Sequence, residues 1–247
     1  MPRLCKHYVS ATTQKLNGYW QTIFDKGQPM KTYETTTTAG TLAGMFQFTA
    51  AKDPRTYLQG VHVCTAPNGG PMFAATDGHL FGAMPGNPND AGPVDAFTIP
   101  NDLLKQIKTT PRNGGDVVRI RVEWATESGA QVSITLKHNG ATYTQGATVH
   151  PWPDFWRIVP RTVSGAPGQI APPLLSRFIK ATGFLQGRPA NGYELHVFHN
   201  GETGAARVAI LPVPDFVGVV MPYQNKNAPA LALPEWATDK TQAQKAA

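Results

Sequence analysis

Three Asn-Gly dipeptides, Asn68-Gly69, Asn139-Gly140 and Asn200-Gly201, each stand between two runs of β-forming residues. Asn and Gly tolerate the left-handed backbone that a two-residue type I′ turn demands, so each dipeptide marks an antiparallel hairpin. The flanking runs agree. YLQGVHVCTA and PMFAATDGHLFGAMP surround the first turn, SITLKH and ATYTQGATV the second, and YELHVFH and ARVAIL the third. KTYETTTT, DAFTIP and FVGVVMP read as further strands. In DVVRIRVEWAT the alternation is complete: Val118, Ile120, Val122 and Trp124 face one way, Arg119, Arg121 and Glu123 the other.

Helical spacing occurs in three places. Leu42, Met45, Phe46 and Thr49 predict a helix over 39–50, although Gly40 and Gly44 weaken it. Leu103, Leu104 and Ile107 predict one over 101–109, with Asn101 as its cap. Leu174, Leu175, Phe178 and Ile179 predict one over 172–184, with Pro172 and Pro173 in its first turn. Strands and helices do not alternate as in wound parallel sheets, so the fold class is α+β with antiparallel sheet. No long-period sequence repeat is visible. The organisation reads as an N-terminal extension over 1–30, a domain over 31–160, a shorter second one over 161–224 and a polar, Ala- and Pro-rich tail over 225–247.

The net charge of +6 is unevenly spread. Residues 1–30 hold four bases and one acid, 31–160 hold ten of each, and 161–247 hold eight bases and five acids. That balance permits a polyanionic partner such as DNA. Cys5 and Cys64 form no CxxC, which speaks against a disulfide framework or a structural zinc site. No apolar run approaches the length of a membrane span, and MPRLCKHYVSATTQ has no apolar core of a secretory signal. A cytoplasmic, nucleoid-associated protein is expected.

Catalytic patterns are missing: there is no GxGxxG, GxxxxGK[ST], HExxH or GxSxG. His196 and His199, three apart on a strand, face opposite sides and make poor joint ligands. Asp77-Gly78-His79 is a turn tripeptide with no nucleophile beside it. The sequence therefore reads as a non-enzyme with no catalytic residue, no metal and no cofactor.

Three stretches in order, DPRTYLQGVHV, AATDGHLFGAMP and HPWPDFWRIVP, resemble the middle domain of the bacterial DNA polymerase III beta subunit, the sliding clamp. The A-T-D-G-H run is the most specific of them, and FVGVVMPYQ resembles that family's C-terminal strand. The resemblance spans about 31–224 and marks a shortened, divergent variant. It implies a DNA-clamp fold, with antiparallel sheets outside and helices on one face. It also implies sequence-independent binding of duplex DNA through phosphates, for which Lys105, Lys108, Arg177 and Lys180 are the candidates.

The family also holds replication proteins in a peptide pocket. Matching positions here are Leu58, Thr76, Gly78, His79, Leu80, Phe81, Pro160, Val219, Met221 and Tyr223. Leu58, Phe81, Val219 and Met221 would form an apolar floor for a partner's Leu or Phe. Polymerase and clamp-loader-like proteins are the implied partners, and a homo-oligomer such as a trimeric ring the implied assembly. Two departures stand out: Leu80 replaces the family's arginine, and the second domain is only half of a clamp domain. The alternative is an adaptor or competitor that binds clamp-interacting peptides without encircling DNA.

Overall fold

The computed structural model describes residues 12–16, 19–23, 31–124 and 131–223. Its elements fall into a repeating order. After a short hairpin, β1 (Thr12–Leu16) and β2 (Tyr19–Ile23), comes β3 (Thr32–Thr38), which runs straight into α1 (Ala39–Phe46). Then follow β4 (Gly60–Thr65), β5 (Pro71–Thr76) and β6 (Leu80–Pro85). The same order recurs: β7 (Phe97–Pro100) runs into α2 (Asn101–Leu104), followed by β8 (Val117–Trp124), β9 (Gln131–His138) and β10 (Ala141–Thr148). A third unit begins at α3 (Pro172–Leu185) and continues with β11 (Leu195–Asn200), β12 (Gly204–Ile210) and β13 (Val213–Val220).

The first two units are thus βαβββ and the third αβββ. This repeat is one of topology, which explains why no period shows in the residues. Each leading strand crosses to its sister unit: β3 pairs with β8, and β7 with β4. The result is a four-stranded sheet, β10-β9-β8-β3, and a seven-stranded sheet, β11-β12-β13-β6-β5-β4-β7. Every pairing is antiparallel, including the β6–β13 seam that joins the third unit to the first. The α+β class with antiparallel sheet drawn from the sequence is the architecture observed.

Local chemistry explains the strands. Along β8, Val118, Ile120, Val122 and Trp124 are buried, in the alternation expected. Asn139 and Gly140 both take positive φ, 47° and 78°, between β9 and β10. The helices differ from expectation. α1 stops at Phe46 instead of running to 50, and Thr49 turns its hydroxyl back onto the Phe46 carbonyl. α2 is a single turn over 101–104 instead of a helix to 109. Asn101 does not cap it: Pro100 holds the cap position, and the Asn101 amide donates to the Ala50 carbonyl at 2.8 Å.

Gly40 and Gly44 weaken α1 for a packing reason. A Cβ on Gly40 would lie 2.4 Å from the Phe184 carbonyl oxygen, and one on Gly44 would lie 2.7 Å from Leu185. The missing side chains let α3 press against α1. Helices and strands then share one core, which runs from Val118 and Ile134 through Met45 and Phe73 to Phe178 and Phe216. The opposite face of the seven-stranded sheet carries a smaller core of Met72, Ala74, Phe81, Ala83, Phe155 and Val219. Among the described residues no helix is long and apolar enough to cross a membrane.

Candidate functional site

The β5–β6 turn is built by its own side chains. The Thr76 hydroxyl donates to the Leu80 carbonyl at 2.6 Å and accepts from the Gly78 N–H at 3.0 Å. Asp77 Oδ1 accepts from the His79 and Leu80 N–H groups at 2.8 and 3.0 Å. Gly78 sits at φ 95°, where a side chain would be strained. These bonds leave His79 exposed at the tip, while its carbonyl accepts from the Met221 N–H at 2.9 Å. The tip therefore spans the seam between β6 and the end of β13.

Asp77 has a second task. Its Oδ2 takes the Arg177 guanidinium of α3, which also donates to the Gln47 carbonyl, and to the Thr49 carbonyl at 2.8 Å. Gln47 and Thr49 follow the end of α1, where helix carbonyls lack partners and the dipole is negative. That is why Arg177 turns inward. The sequence placed it on the solvent face of α3 as a phosphate contact; the structure commits it within the molecule.

Of the side chains expected to form an apolar floor, Leu58, Phe81 and Val219 are buried and Met221 stays exposed. Leu58, Leu80, Phe81 and Val219 are fully buried, and Thr76 is buried with them. Phe155, from the Pro-rich stretch after β10, stacks on Phe81 with ring centroids 4.9 Å apart. Asp154 starts the short 3-10 turn that aims it, accepting from the Trp156 N–H. Beside it Trp152 lies flat on His62, 4.4 Å between centroids, and donates to the Tyr57 carbonyl. Burial lowers the His62 pKa to about 4 and raises that of the Cys64 thiol to about 11, so neither ionises at neutral pH.

What stays open is a rim. Met221 is 39% exposed and Tyr223 52%, with Trp156 and Ile158 both at 44%. His79 and Gly78 are exposed and Pro160 is half-buried. Of the residues matched to the family's pocket, Gly78, His79, Met221 and Tyr223 are exposed and Pro160 is half-buried; Trp156 and Ile158 are exposed too. Sequence reasoning missed these two because HPWPDFWRIVP has no helical or strand period. Two surface hollows of about 340 and 350 Å³ lie elsewhere, one beside α2 at Tyr57 and His150, the other over the four-stranded sheet at Asp90 and Arg119.

The helices form a layer of their own, α2 and α3 each touching α1. Lys180 on α3 is exposed, as are Lys105 and Lys108 just past α2. Lys105 reaches Asp102 at 2.8 Å, a pair open to solvent. His196 and His199 do not converge: the His199 Nδ1 accepts from the Gly168 N–H. Among the described residues no three His, Cys, Asp or Glu come together as a metal site.

No family model matches the chain, and no curated protein matches it. Solved structures do. The DNA polymerase III subunit beta from Pseudomonas aeruginosa aligns with TM-score 0.56 at 12% identity, over 83% of this chain and 72% of that one. The DNA polymerase sliding clamp from Caulobacter crescentus aligns with TM-score 0.55 at 13% identity, over 83% and 70%. A putative DNA polymerase III beta subunit from Eubacterium rectale aligns with TM-score 0.56 at 10% identity, over 86% and 73%. At such identities the likeness is one of fold.

Proposed function

We propose that the chain is a sliding-clamp-like processivity factor. Its helix layer would face duplex DNA without reading sequence, and the rim at His79, Met221 and Tyr223 would hold a short segment of a polymerase or clamp-loader-like protein. One observation carries this reading: repeated βαβββ units set the helices side by side on one face of a continuous seven-stranded sheet, the fold of proteins that themselves serve DNA polymerase III. Lys105, Lys108 and Lys180 supply the positive charge on the helix side.

The test is retention on nicked circular against linear duplex DNA, read with salt. Three lysine–phosphate contacts give a slope of about −2.7 in log affinity against log salt. The triple variant Lys105→Glu, Lys108→Glu, Lys180→Glu should lose retention without losing its fold. An unchanged triple variant would overturn the assignment of the helix face. The half-built third unit favours a second reading, an adaptor that binds at the rim and never encircles DNA. Equal retention on circular and linear DNA, with polymerase peptide still bound, selects it.

A further inference from the structure

The third unit lacks something that the first two share. Each run of three hairpin strands in the first two units ends on a fourth strand lent by the sister unit: β7 beside β4, and β3 beside β8. β11, β12 and β13 have no sister. Residues 161–171, which lead into α3, form no strand, and β11 is the last strand of its sheet. The preceding loop touches only the far end of β11, where the Gly165 N–H donates to His199 and the Gly201 N–H to Ala166. Among the described residues no strand pairs with the outer edge of Leu195–Phe198, and the Leu195 N–H turns back to the Gly192 carbonyl.

Beyond the register shift between Phe198 and Asn200, this edge carries no guard. Exposed edge strands are normally blunted by Lys, Pro or inward charge; LHVFHN has none of these. Phe198 is 38% exposed and Tyr193, just before the strand, 85%. Leu195 and Val197 are only half-buried, whereas Val208 and Ile210 beside them are buried. The inner face of β11 is thus as incomplete as its edge.

The chain also contains two strands that belong to neither larger sheet. Among the described residues β1 and β2 pair only with each other, from Thr12↔Ile23 to Leu16↔Tyr19. An isolated two-stranded hairpin is marginal in water and gains from a third strand. Each of its strands has five residues, against four open residues on β11, and the lent strand β7 itself has only four.

Reach decides whose hairpin it is. β3 starts near β7, since Tyr33 and Phe97 lie 6.1 Å apart. β7 and β11 are the two ends of the seven-stranded sheet. Six strand spacings put them about 29 Å apart. Residues 24–31 between β2 and β3 span at most about 28 Å fully extended. Within one chain the link would have to be taut along the whole width of the sheet.

We propose that β11 is completed by the N-terminal hairpin of a second copy of this chain, which lends a strand antiparallel to Leu195–Phe198. Every copy then has one hairpin to lend and one edge to fill, so exchange satisfies all members of a reciprocal pair or a closed ring. Sheet topology and the reach of residues 24–31 carry this, and the exchange holds whether or not the chain serves a polymerase.

The test uses two full-length chains with different tags and with Cys5 and Cys64 replaced by Ser. One carries Thr22→Cys, the other Phe198→Cys. Mixing under mild oxidation should give a disulfide joining the two tags, and light scattering of the native chain should give at least twice 26.6 kDa. Gln14→Pro with Gln21→Pro, opposite each other in the hairpin, should return the mass to one chain and leave the melting of the body unchanged. A single-chain mass at every concentration overturns the exchange. So does a disulfide that forms only inside a chain carrying both cysteines, or an assembly that survives the two prolines.

Discussion

Arg177→Ala tests whether the third unit is locked to the first through one side chain. The change removes the donors to Gln47 and Thr49 and the countercharge of Asp77. The Asp77 side chain is 14% exposed and that of Arg177 27%. Breaking a fully buried pair costs about 3–5 kcal/mol; the remaining solvent contact reduces this to about 2–3 kcal/mol. For a chain of this length that lowers Tm by about 5–10 °C. Asp77→Asn keeps the Oδ1 acceptor that shapes the turn and removes the charge and the Oδ2 acceptor facing Arg177. Urea unfolding of both single variants and the double variant gives the coupling, and the double should cost at least about 1 kcal/mol less than the sum. The salt slope of DNA retention should stay that of the unsubstituted chain, because Arg177 is already held by Asp77, Gln47 and Thr49. Additive losses would refute the lock. Unchanged stability with weakened DNA retention would return Arg177 to the DNA face.

Two further changes probe the cores on either side of the seven-stranded sheet. His62 has its pKa pushed down to about 4 by burial, below the ordinary 6.5. Its folded state therefore binds the proton later than the unfolded chain does, so stability is full above about pH 6.5 and falls as pH drops toward 4, by about 3 kcal/mol. Urea midpoints of the wild type and His62→Phe between pH 7.5 and 4.5 should diverge by that amount; parallel curves would mean that the ring is solvated. On the helix side, Gly82→Ala would place a methyl 2.7 Å from the Phe48 ring, which Phe178 and Phe216 hold in place. A loss of about 1–3 kcal/mol is expected in thermal melting, and an unchanged Tm would show that Phe48 can move.

The strands were legible because their information is local. Asn139 and Gly140 carry their turn in their own φ preference, and Val118 to Trp124 carry their burial in period two. The clamp likeness was legible for a related reason: A-T-D-G-H encodes a turn whose Thr76 and Asp77 side chains bond within four residues. What lay beyond reading was set across the chain. α1 ends early through its packing on α3, more than a hundred residues away, and Arg177 meets Asp77 exactly 100 positions back. Phe155 caps Phe81 from a stretch that belongs to no regular element. The topological repeat left no period because each unit buries different residues on the same path: Leu42 and Met45 in α1, Leu103 and Leu104 in α2, Phe178 and Ala181 in α3.

Half a domain has too little surface of its own to bury, and this one survives by sharing. Phe178 and Phe216 of the third unit close on Phe48 of the first, with centroids 4.9 and 5.6 Å away. Gly44 admits Leu185, and Gly218 leaves room for Phe178 against the sheet. Val219 crosses the seam to the register of Phe81 and joins the core under Phe155. The third unit is therefore fixed to the first on both faces of the sheet, with helix packing on one and the aromatic cover on the other. A rim whose His79 comes from one unit and whose Met221 and Tyr223 come from the other is then held in one geometry, since neither side can move without opening a shared core. Such a rim can be preorganised for a partner segment, and that lowers the cost of binding it. The opposite end of the same unit, at β11, is the last strand of its sheet, so one half-unit joins a seam packed on both faces to an edge without a neighbouring strand among the described residues.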